Sequence, residues 1–316
     1  MSRDASSVLV DGPWDHRFVS ANGARFHVAV AGGSGAANRP LVLLLHGFPQ
    51  FWWAWRDQLR ALAGAGYRAA ALDLRGYGAS DKPPRGYDTF TSAADVASVI
   101  RTLGATRAAV VGHGLGAWTA WAMPAMQPTV TQGVAALSMP HPLVLRRAST
   151  GDAAQVRANG YLMALQRPFV PERQMAHGAL GTGGSGYVEG LLRRWSAPDT
   201  GWPDPQVASR YADAMALPFV AHSAAEYYRW MVRSQVRLDG RRFASRMRRP
   251  IDVPVLHLQG GADGAVLATS THGSRDYVRG PYEHHLLPRA GHFLAEEASE
   301  EVSALLLGWL RTVNPE

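Results

Sequence analysis

The run Val110-Val111-Gly112-His113-Gly114-Leu115-Gly116-Ala117 lies where an apolar stretch gives way to residues of helical period. A G-x-nucleophile-x-G elbow needs this strand-turn-helix context, because its glycines let strand and helix approach closely around a sharp, strained turn. The central residue here is Gly114, which has no side chain and cannot attack anything. His113 is a poor substitute, since its side chain leaves such an elbow in a different direction. Taken alone, the stretch also reads as a glycine-rich turn of some other kind. Upstream, His46-Gly47-Phe48-Pro49 closes an earlier apolar run and is followed by Trp52, Trp53, Trp55 and Arg56. Two further patterns promise less. His284 and His285 are adjacent, and neighbours in a strand point to opposite faces, so no metal site is expected there. Gly76-Tyr77-Gly78 lacks the remaining glycine and the context of a dinucleotide fingerprint, so no cofactor is implied.

The elements that must position these residues follow from short runs rich in Val, Leu and Ala, at 40–46 (PLVLLLH), 68–73 (RAAALD), 107–113 (RAAVVGH), 131–138 (TQGVAALS) and 253–259 (VPVLHLQ). Most end at a polar residue or glycine, and a stretch of helical period follows. Continuous apolar strands separated by helices are what a parallel sheet covered on both faces requires. The fold class is therefore α/β, with a doubly wound, mostly parallel sheet. Between Pro142 and about Arg249 the alternation stops, and Trp, Tyr, Arg and a Gly-rich stretch from Gly178 to Gly190 take over. The rhythm resumes at Ile251. Residues 143–249 thus read as a lid inserted into a core made of 1–142 and 250–316, with the Gly-rich stretch as a mobile loop.

Length, composition and charge bound the rest. A chain of 316 residues is long enough for one large core and an inserted subdomain, and 18% charged against 47% hydrophobic residues is a globular balance. The formal charge of +7 comes from 31 arginines and the single lysine Lys82. The arginines are scattered, and their one dense cluster, Arg241, Arg242, Arg246, Arg248 and Arg249, lies beside Pro250 at the expected domain junction. A solvated surface is the reading adopted, and no nucleic-acid partner is expected. With no cysteine, disulfides and thiolate chemistry are excluded. Neither a signal-length apolar stretch in Met1 to Val10 nor about 18 consecutive apolar residues anywhere is found, so no membrane partner is expected and a cytoplasmic location is the default. The expected partner is a small molecule. A homodimer is left open.

Taken together, HGFPQFWWAWR from His46, then Asp73-Leu74-Arg75-Gly76-Tyr77-Gly78-Ala79-Ser80-Asp81, the elbow, and Met139-Pro140-His141-Pro142 resemble the epoxide-hydrolase branch of the α/β-hydrolase superfamily, in the right order and at matching spacing. The matches are dispersed from Phe26 to Leu307. The resemblance implies an oxyanion hole from the backbone N–H groups of Phe48 and Leu115. It implies that Asp263, just past the strand Val253 to Leu258, holds His292 in the correct tautomer. It implies two lid tyrosines whose hydroxyls polarise an epoxide oxygen: Tyr161, seven residues before Pro168, and Tyr228, with Tyr227 as its rival. His46, Trp52 and His113 are expected at the substrate, and Trp52 and Trp53 with the lid aromatics suggest a mainly apolar pocket.

In a relative complete at this position, an aspartate at 114 would attack an epoxide carbon, and water activated by His292 would hydrolyse the resulting ester. Serine there would indicate an esterase. With Gly114 neither covalent route is available. Three readings follow: an epoxide-hydrolase-like hydrolase whose nucleophile is lost, an enzyme in which His292 and Asp263 activate water directly, and a non-catalytic ligand-binding protein. A dehalogenase fits less well, since the position after the nucleophile, where those enzymes carry a halide-binding Trp, is Leu115.

Overall fold

In the computed structural model, which describes residues 4–33, 38–177 and 186–314, an antiparallel hairpin opens the sheet. It consists of β1 (Asp15–Ala21) and β2 (Ala24–Ala31). The two strands turn at Asn22 and Gly23, both at positive φ (44° and 74°), the backbone that Asn-Gly supplies at least cost. The five apolar runs follow as β3 (Leu41–Leu45), β4 (Arg68–Leu72), β5 (Ala108–His113), β6 (Thr131–Leu137) and β7 (Val255–Gly260), and β8 (Tyr282–Leu287) closes the edge. The order among the described residues is β1-β2-β4-β3-β5-β6-β7-β8. From β4 to β8 every neighbouring pair is parallel, and β2, antiparallel to both β1 and β4, is the one described strand that runs against the rest.

Every residue of β3, β4 and β5 is buried. Burial on both faces is why these strands carry no polar alternation and were legible as unbroken apolar runs. Covering them are α1 (Arg56–Gly64), α2 (Thr89–Thr102) and α3 (Leu115–Met126), with α12 (Leu294–Glu297) and α13 (Ser299–Val313) after β8. The edge strand β8 is instead partly exposed, with the neighbours Glu283 and His284 both in solvent and only Leu287 buried.

Between the adjacent strands β6 and β7 the chain leaves the sheet and runs through α4 (Pro142–Gly151), α5 (Ala153–Ala158), α6 (Gly160–Ala164), α7 (Val170–His177), α8 (Gly186–Trp195), α9 (Pro205–Met215), α10 (Val220–Arg233) and α11 (Leu238–Met247). One expectation is corrected here. Gly186 and Gly190 belong to helix α8, where Val188, Leu191, Leu192 and Trp195 form a buried face that outweighs the low helix propensity of glycine. Residues 178–185 of the expected loop lie outside the described residues. The arginine cluster is exposed on and just after α11. No helix of the described residues is long and apolar enough to cross a membrane.

Candidate functional site

At the end of β5 the chain turns through Gly114, at φ 50° and ψ −112°, directly into α3. The flanking glycines are required by contact. A Cβ on Gly112 would stand 2.3 Å from the carbonyl carbon of Gly116, and one on Gly116 only 2.1 Å from the carbonyl oxygen of Leu45. No side chain can occupy either place without prising α3 off the sheet. Gly114 is fixed on both sides, its N–H donating to Leu137 O (3.0 Å) and its carbonyl accepting from Trp118 N (2.9 Å). A Cβ at Gly114 would meet His292 Nε2 at 3.3 Å and Gly47 Cα at 3.7 Å. The elbow therefore faces the imidazole.

Asp263 follows β7, and its carboxylate is almost fully enclosed. Oδ1 accepts from the N–H groups of Ala265 and Val266 (2.8 Å each), and Oδ2 accepts from Gln259 Nε2 (3.1 Å) and His292 Nδ1 (2.8 Å). With Nδ1–H directed at a carboxylate, Nε2 carries the lone pair, and it is the nitrogen turned towards Gly114. The backbone of His292 is held as firmly. Its N–H donates to Trp195 O (2.8 Å), while its carbonyl accepts from Ser138 Oγ (2.6 Å) and His113 Nε2 (2.7 Å). Glu297 closes the same loop by accepting from the N–H groups of Gly291, Phe293 and Ala197 at 2.8–2.9 Å.

Two backbone donors flank the elbow. Leu115 N–H opens α3 and Phe48 N–H follows the His46-Gly47 turn, and neither donates to any group among the described residues. Above them, edge-to-face aromatic contacts link the insertion to the core. Phe48 meets Tyr228 (centroids 5.5 Å apart), Tyr228 meets Tyr161 (5.7 Å), Tyr161 meets Trp195 (4.8 Å), and Trp195 meets His292 (5.3 Å). Neither Tyr161 nor Tyr228 has a hydroxyl partner among the described residues. Burial, together with Asp263 near Tyr161 and Tyr161 near Tyr228, pushes both hydroxyl pKa values up, so both remain proton donors. The rival Tyr227 donates to Arg75 O (3.0 Å), which gives its hydroxyl a structural partner.

Three residues expected at the substrate are instead part of the frame. His46 is fully buried, with Nδ1–H donating to Gly47 O (2.8 Å) and Nε2 accepting from Leu74 N (3.1 Å). Trp52 is equally buried. Its Nε1–H donates to Val8 O (2.8 Å), and its ring packs on Trp14, His16 and His27, at the hairpin rather than the elbow. Its neighbour Trp53 stacks on Phe51 and lies under the Arg56 guanidinium. His113 leaves the elbow on its far side to hold the His292 carbonyl, and burial, with His292 beside it, keeps its pKa well below the usual histidine value. Conversely, no motif marks Trp195, which stands beside arginines, or Ser138 and Glu297 as parts of the site. A cavity of about 280 Å³ opens beside Tyr161 and Trp195, lined also by Gln174, Tyr187 and Arg194. Among the described residues no three His, Asp or Glu side chains converge as metal ligands.

Comparison with known proteins agrees with this fold. The model of an alpha/beta hydrolase family matches residues 42–305. Epoxide hydrolase A of Mycobacterium tuberculosis is 32% identical over 93% of this chain and 96% of its own, and epoxide hydrolase 3 of Xenopus tropicalis is 30% identical over 92% and 76%. Among solved structures, an epoxide hydrolase from an endophytic Streptomyces superposes with a TM-score of 0.78 at 28% identity, covering 95% of this chain and 96% of that one.

Proposed function

Because the chain belongs to the alpha/beta hydrolase family and is epoxide-hydrolase-like in sequence and fold, we propose that it binds a small apolar epoxide beneath a lid formed by residues 143–249 and hydrates it with water activated by His292. Gly114 closes the covalent route. What carries this reading is the orientation of one imidazole, with Nδ1 on Asp263 at 2.8 Å and Nε2 at 3.3 Å from where a side chain on Gly114 would begin.

In this mechanism Nε2 takes a proton from water as the water oxygen bonds to an epoxide carbon. The ring C–O bond breaks, and the departing oxygen takes a proton from Tyr161 or Tyr228. The imidazolium, stabilised by Asp263, returns that proton to the tyrosine through solvent, so epoxide plus water gives diol. The N–H groups of Phe48 and Leu115 orient the incoming oxygen, and Trp195 packs the histidine in place.

The test is diol formation from a panel of small epoxides by the chain as it stands, by His292→Ala and by Gly114→Asp. The reading expects slow turnover that His292→Ala abolishes and a marked gain in Gly114→Asp. Turnover that survives His292→Ala excludes histidine-activated water. A folded Gly114→Asp that binds an epoxide but forms neither ester nor diol overturns the epoxide assignment. Binding without turnover across epoxides and esters favours a non-catalytic binding protein.

A further inference from the structure

We propose that the Gly114 elbow is a binding site for a small free carboxylate of formate size, and that this anion acts as an external nucleophile in place of a side chain. The proposal rests on the epoxide reading above and names the co-reactant that the same site would take.

Three observations converge on it. Helix α3, twelve residues long and with no acidic residue in its first turn, points its N-terminus at the elbow with Leu115 N–H unpartnered, and Phe48 N–H is likewise unpartnered beside it. Such an end attracts anions through free N–H groups and the aligned peptide dipoles. Independently, His292 is 4% exposed, yet its Nε2 has no partner among the described residues and lies 3.3 Å from the Cβ position at Gly114. It is a buried polar group aimed into the same space. Finally, the one carboxylate bound to this imidazole, Asp263, is on its far side, with both oxygens occupied by donors. Two free N–H groups and an imidazole nitrogen able to take up a proton therefore lie around a point at which this chain supplies no anion. The tightness of the space, with Gly47 Cα 3.7 Å away on the other side, favours formate over acetate and acetate over propionate.

The chemistry balances. Formate enters with a proton on His292 Nε2. A formate oxygen bonds to an epoxide carbon, the ring C–O bond breaks, and the freed oxygen takes a tyrosine proton that the imidazolium replaces. Neutral His292 then takes a proton from water, whose oxygen adds to the formyl carbon while Phe48 and Leu115 N–H groups hold the oxyanion. Collapse of that intermediate releases the diol oxygen, which takes the proton from His292. The formic acid formed re-protonates the imidazole, so formate is regenerated.

The route leaves a label, because the formate oxygen that attacked carbon stays in the diol. The experiment measures diol from a small epoxide against formate concentration, using ¹⁸O-formate in single turnover. Expected are a saturable rise of about tenfold or more, ¹⁸O in the diol, the order formate, acetate, propionate, and loss of the formate response in Gly114→Ala, whose methyl group fills the space. A flat response, or saturable stimulation with diol oxygen drawn only from water, overturns the nucleophile. Gly114→Asp separates the two readings. If it makes diol while the original chain ignores formate, the anion site falls and the epoxide reading stands, whereas failure of both, in a folded variant, removes the epoxide reading itself. Should Gly114→Asp not fold, the label measurement decides on the original chain alone.

Discussion

The backbone of Gly114 sits at φ 50°, a region that side chains enter at a cost on the order of 1–3 kcal/mol. Any side chain there must also displace His292 by a few tenths of an ångström from its 3.3 Å approach. Gly114→Asp is therefore expected to be less stable by about 1–3 kcal/mol in urea titrations even as it gains activity. An equal or raised stability would mean that the elbow is unstrained. The tyrosines separate along the same line. Tyr161→Phe and Tyr228→Phe remove hydroxyls without internal partners, so melting should barely change while epoxide turnover falls about 100-fold. Tyr227→Phe loses the bond to Arg75 O and should cost about 1 kcal/mol with turnover little changed. The elbow, Asp263 and His292 were legible because glycine spacing and a strand end leave marks in sequence. The roles expected for His46 and Trp52 were not, since a motif names a residue without saying which way its ring turns.

Among elements, the contact between α3 and the sheet leaves least latitude. A methyl group on Gly116 would meet the Leu45 carbonyl at 2.1 Å, and backbone cannot yield as a side-chain tip can. Gly116→Ala is expected to lose about 3 kcal/mol or more, or to fail to fold. Gly64→Ala, at the end of α1 with nothing within 4 Å, should be neutral or gain up to about 1 kcal/mol in the same denaturation assay. The parallel strands could be read from sequence because both faces are buried, as in β3 with five buried residues of five. The hairpin β1–β2 and the edge strand β8 could not, because strands such as Asp15–Ala21 and Tyr282–Leu287 mix exposed charge with apolar residues and resemble loops. Helix α8 escaped for the opposite reason, its glycines outweighing in sequence a buried face that only the fold completes.

Across the whole molecule, burial of neutral imidazoles links stability to pH. Burial lowers His141, which is stacked on Tyr277, and His257, beside His284, to about 3. In the unfolded chain both take up a proton near 6.5. Between those values the unfolded state holds more protons, so stability falls as pH drops from about 6.5 towards 3, by up to about 1.4 kcal/mol per pH unit for each histidine. Urea midpoints at several pH values should show this slope, and His257→Leu should flatten it. Identical slopes for the two proteins would exclude His257 as a source. One tie described above also constrains motion. The Trp195 carbonyl accepts from both His292 N–H and Gly264 N–H, while Ala197 N–H is held by Glu297. Lifting that corner would drag the imidazole off its carboxylate. Any opening of the proposed lid is therefore expected to leave the tryptophan corner in place, so that the molecule can admit a substrate without disarming its base.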